Sequence, residues 1–127
     1  MVAAQKFTSY WVRSRDITYA DAATTVGAIS VPAKSFVTNV LAYVETTWDT
    51  VGSGTIDCGD GTDPDGWIDG EQLSGGVVGT YVGTGGHSLY LTGKYYASAD
   101  TIDVYTDSAT NGSLFIMAEI VEYGDII

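Results

Sequence analysis

The chain has 127 residues, enough for one domain whose core needs no staples. Its formal charge of −11, from sixteen acids and five cations, argues against a nucleic-acid partner, because most of such a surface repels a phosphate backbone. Nine Tyr, three Trp and sixteen Gly, with few strong helix formers, exclude a disordered chain and favour strands.

The start, MVAAQKF, lacks the apolar core of a signal peptide, and no apolar run approaches the roughly 18 residues of a membrane span. Cys58 is the one cysteine, so no internal disulfide forms. The expectation is synthesis in a cytosol, with no membrane partner. The first strand is KFTSYWV (6–12), and 16–31 alternates in two pieces around a bulge near Ala22. Pro32 and Ala33 turn the chain into SFVTNVLAYVETTW (35–48), the longest alternating run. Its phase predicts Phe36, Val40, Ala42 and Val44 on one face and Val37, Leu41 and Tyr43 on the other, a central strand covered on both sides.

GTIDCG (54–59) predicts a short strand running into the acidic stretch DCGDGTDPDGWIDG (57–70). Strands at 77–82, 87–96 and 101–107 follow, then an NGS turn at 111–113, where Asn-Gly accepts positive φ. The last strand, 113–123, predicts Leu114, Ile116, Ala118 and Ile120 on one face and Phe115, Met117, Val121 and Tyr123 on the other. Eight or nine short strands without an amphipathic helix make an all-β antiparallel sandwich, with a jelly roll as the leading topology. The boundaries predict a single domain over 1–127, with 1–15 as an N-terminal strand or arm that contacts neighbours.

The acidic stretch invites a calcium reading. With Gly66 at position 6 of an EF-hand loop, Asp63, Asp65, Ile68 and Asp69 fall at positions 3, 5, 8 and 9. Position 1 is then Gly61 and position 12 is Gln72, so the first and last ligands are missing. Asp63, Asp65 and Asp69 stay as weak calcium candidates in a β-loop, and no cofactor is expected. Trp67 and Ile68 read as an apolar plug between charged residues, packed on the domain's own edge or on a neighbour.

No catalytic set emerges. His87 is the sole histidine, and Ser88 beside it points to the other face of a strand. Acids flank Cys58 and raise its pKa. The Gly-rich stretches 74–79 and 83–88 lack the lysine and the following helix of a phosphate loop. The expectation is a non-enzyme.

Charge is uneven along the chain. Residues 1–44 hold Lys6, Arg13, Arg15 and Lys34 against two acids, whereas residues 45–127 hold Lys94 against fourteen. Lys6, Phe7, Tyr10, Trp11, Arg13 and Arg15 are the expected interface, with Trp67 and Ile68.

The order ITYADAATT, VPAKSFVTNVLAYVETTWD, CGDGTDPDGWIDG, a Gly-rich tract and TNGSLFIMAEIVEY resembles a class of small virion proteins of tailed bacteriophages. The match covers roughly residues 16–123 and rests on the order of several motifs. Cys58 stands where that pattern has a small apolar residue, and the N-terminal strand lies outside it. The resemblance implies a jelly-roll sandwich acting in capsid decoration: a cement protein on the outer capsid surface, made in the host cytoplasm. It implies the major capsid protein and copies of itself as partners, with a homotrimer favoured. A neck, tail or fibre protein is the alternative within the virion; a carbohydrate- or calcium-binding module is the alternative outside it.

Overall fold

The structure is a computed structural model that describes residues 5–49, 55–72, 81–83, 90 and 92–125. Ten strands form in the described residues. They are β1 (Gln5–Arg13), β2 (Ile17–Thr18), β3 (Val26–Val31), β4 (Ser35–Thr46), β5 (Thr55–Gly59), β6 (Ile68–Gln72), β7 (Tyr81–Gly83), β8 (Lys94–Tyr96), β9 (Asp100–Thr106) and β10 (Ser113–Asp125). A six-stranded sheet runs β1-β10-β4-β7, with β2 also on β10 and β8 also on β4. A four-stranded sheet runs β3-β9-β5-β6. Every pairing is antiparallel. The expected all-β sandwich is what the chain makes.

The core follows from alternation. β10 buries Leu114, Ile116, Ala118 and Ile120, as its sequence predicts. β4 buries Val37, Val40, Ala42 and Val44 against them, and β9 adds Ile102 and Val104 from the other sheet. Burying each Ile, Val or Leu contributes about 1.5–3 kcal/mol.

The predicted face of β4 needs one correction. Glu119 pairs with Asn39, but Ile120 pairs with Val37, so Thr38 is an extra residue. This bulge resets the phase. Phe36 therefore shares the outer face with Leu41 and Tyr43, and Val37 turns inward. Where cover on both sides was expected, the outer face of β4 is partly open among the described residues, with Phe36 exposed and Leu41 and Tyr43 half-buried.

Other differences are local. The interruption near Ala22 is a short 3-10 turn, Tyr19–Asp21. Thr18 caps it by accepting from the Ala20 N–H, while Asp21 Oδ2 accepts from the Thr18 N–H. β6 grows from sequence read as loop. The expected strand at 77–82 is seen as Tyr81–Gly83, and that at 87–96 as Lys94–Tyr96. Residues 77–80, His87, Ser88 and most of the Gly-rich stretches lie outside the described residues.

Candidate functional site: an aromatic sheet face and the acidic loop

The acidic loop leaves β5 at Gly59 and re-enters the sheet at Ile68. Asp60 is 2 % exposed and organises the turn. Its Oδ1 accepts from the Thr62 and Asp63 N–H groups, both at 2.9 Å. Gly59 is required beneath it, since a Cβ there would lie 2.0 Å from the Asp63 carbonyl oxygen.

The same carboxylate reaches the other sheet. Lys94 Nζ and Tyr96 Oη, both on β8, each donate to Asp60 Oδ2 at 2.7 Å. Tyr90 Oη donates to Oδ1 at 3.2 Å and accepts from Lys94 Nζ at 3.0 Å. Lys94 also lies over the Tyr90 and Tyr96 rings. Burial works against the Asp60 charge, but the Lys94 ammonium, the Tyr96 hydroxyl and the amides of Asp63 and Thr62 outweigh it and hold the carboxyl down at about 2. Tyr96 is pushed far up by burial and by Asp60.

Trp67 closes this cluster. It is fully buried, donates from Nε1 to Tyr96 Oη at 3.0 Å, and meets the Tyr90 ring edge-on at 5.1 Å. Tyr90 sits so close that a Cβ on Gly66 would lie 2.3 Å from its ring. Ile68 is equally buried. Both therefore pack on their own chain, which corrects their placement at an interface with a neighbour.

The carboxylates regroup relative to the calcium expectation. Asp57, Asp65 and Asp69 bring one oxygen each within 4.8 Å of one another. Asp63 stands apart from this trio: its side chain accepts from the Asp65 N–H at 3.4 Å, and Asp65 pushes its carboxyl up. Asp57 Oδ1 also accepts from the Gly70 N–H at 2.7 Å. The trio offers hard oxygen ligands of the kind calcium takes. Cys58 is buried, and burial with the nearby Asp57 pushes its thiol up, so its chemistry is quiet.

The outer face of the six-stranded sheet carries a group of aromatic rings. Phe7 and Trp11 on β1 are 59 % and 50 % exposed. The Phe36 ring lies 6.5 Å from Phe7 and 4.8 Å from Tyr95 of β8. Tyr43 stacks on Phe115 at 5.3 Å. Arg13 covers the other side of the Phe115 ring at 3.8 Å, and it pairs with Asp16 and Glu45. Glu119, in the middle of this face, accepts from Ser9 and Thr38.

The expected N-terminal interface thus divides. Phe7, Trp11 and Arg13 point outward on this face. Tyr10 lies on the opposite side of β1, partly buried against the core. Arg15 is engaged by Asp21 in a two-pronged pair at 3.0 and 3.1 Å. The Lys6 side chain lies outside the described residues. Sequence reasoning missed Phe36 and Tyr95, whose place on this face depends on the β4 bulge and on the β4–β8 pairing.

No family model and no curated protein match the chain. Solved structures do share its fold. A chain of the cyanophage Pam1 capsid asymmetric unit matches with a TM-score of 0.60 and 13% identity, over 94% of this chain and 86% of that one. A chain of the acidic stable capsid of Helicobacter pylori bacteriophage KHP30 matches at 0.59 and 8%, over 97% and 100%. A chain of the Ralstonia phage GP4 capsid matches at 0.54 and 16%, over 99% and 88%. At these identities the likeness is one of fold.

Proposed function

We propose that this chain is a non-enzymatic structural protein of a tailed-phage particle: a decoration, or cement, protein that binds the outer shell of the head and stabilises it. The supporting observation is the fold, shared along nearly the whole chain with proteins from three phage capsid structures. The architecture suits the role. Its carboxylate, lysine and tyrosine cluster is spent on joining two sheets, and among the described residues Phe7, Trp11, Phe36 and Tyr95 lie exposed on one sheet face. The partners are the major capsid protein and further copies of this chain, and residues 1–15 supply contact surface through Phe7, Trp11 and Arg13.

Counting copies per purified particle by quantitative mass spectrometry tests this reading. Numbers on the scale of the shell lattice support decoration. A handful of copies would move the protein to the neck, tail or a fibre, and absence from the particle would end the reading. The Asp57, Asp65 and Asp69 trio favours a second reading, a calcium-binding module. Calcium titration followed by tryptophan fluorescence checks it, since Trp67 lies in the same loop.

A further inference from the structure

We propose that β1 is the docking strand for a second copy of this chain. The two copies pair β1 with β1 antiparallel about a two-fold axis and join their six-stranded sheets into one. The inference rests on the reading of the chain as an assembling structural protein.

Edges supply the first argument. β1 ends the six-stranded sheet, and among the described residues no strand pairs with its other side. It runs for nine residues, QKFTSYWVR, without an acid or a proline. A nine-residue edge with Phe, Tyr, Trp and Val along it, and cations only near its two ends, is a template for another strand. The edge strand β6 of the other sheet has five residues, IDGEQ, two of them acids. The remaining edges among the described residues, β2, β3, β7 and β8, have only two, six, three and three residues.

Charge identifies the occupant. At −11, most of the surface repels a second copy and attracts a basic partner instead. The outer face beside β1 is the exception. Glu119 is held by Ser9 and Thr38, and Arg13 answers Glu45. Two acidic copies therefore meet there at the lowest coulombic cost.

Register completes the case. A two-fold centred on Ser9 sets Phe7 of each copy opposite Trp11 of the other, on the aromatic face. Cross-strand aromatic pairs of this kind stabilise antiparallel sheets. Because identical edges pair with each other antiparallel only about a two-fold, this contact differs from the three-fold arrangement that the sequence resemblance implies.

Sedimentation of the purified chain over a dilution series, with cysteine cross-linking, tests the inference. The expected results are a monomer–dimer equilibrium and a disulfide-linked dimer of Ser9→Cys on mild oxidation. Tyr105→Cys, on the exposed face of the four-stranded sheet, should cross-link far less. Trp11→Glu and, separately, Phe7→Glu should each weaken the dimer roughly tenfold or more while circular dichroism stays unchanged. A monomer at every concentration, an odd-order multimer, equal cross-linking of the two cysteine variants, or a dimer indifferent to both glutamates overturns the inference. Copy number per particle is read independently. A solution monomer found in shell-scale numbers leaves the decoration reading intact and removes only the β1 pairing.

Discussion

Asp60 is a buried charge whose partners come from both layers of the sandwich, and removing one side of such a pair is costlier than the pair itself is stabilising. Its carboxyl is lowered from 3.8 to about 2, so its contribution is complete above the ordinary carboxylate range and is lost as pH falls through about 2. That shift corresponds to about 2 kcal/mol. Asp60→Asn should therefore lower the urea midpoint strongly at neutral pH and much less near pH 2; equal losses at both would refute the linkage. Gly66→Ala pushes a methyl into the Tyr90 ring and should cost about 3 kcal/mol by the same measurement. None of this could be read from the sequence. Asp60 stood in a run of aspartates, and its partners Tyr90, Lys94 and Tyr96 are 30, 34 and 36 residues away. Trp67 was legible as an apolar plug, but not which surface it plugs.

Among the elements, β4 and β10 were legible because each alternates through most of its length and is rich in branched and aromatic residues. The bulge at Thr38 has no signature in composition, and it misplaced Phe36. β6 was hidden because IDGEQ is polar and becomes a strand only by pairing with β5. The turn between β3 and β4 offers a test at this scale. Ser35 Oγ donates to the Pro32 carbonyl at 2.6 Å, and Lys34 is held at φ 58°, a conformation that burdens any side chain. Lys34→Gly relieves that strain, partly offset by the larger entropy of glycine in the unfolded chain. The expected gain is about 0.5 kcal/mol, visible as a higher thermal midpoint. A loss of stability would mean that the lysine makes a compensating contact.

At the scale of the molecule, a charge of −11 on 127 residues makes the folded state repel itself, and Asp57, Asp65 and Asp69 bring three of the acids together. Salt screens exposed charges over roughly 10 Å at 0.1 M. Urea midpoints should rise with sodium chloride, and Asp69→Asn should reduce that dependence. A flat response would show that the acids are already locally compensated. Fold class was legible at this scale because short alternating runs without a helix leave a sandwich as the way to cover two apolar faces. The pairing order was not, since strands distant in sequence, such as β1 and β10, meet through contacts that no local pattern encodes.

That first pairing has a mechanical consequence. Gln5 lies opposite Asp125, so both ends of the described chain emerge at one corner of the sheet. The inter-strand bonds run across the strands. Tension on the two ends would load them one after another and peel β1 away like a zipper, instead of shearing the whole ladder at once. The first strand is thus the weakest seam under pull, and a neighbouring strand on its free edge would clamp it from outside.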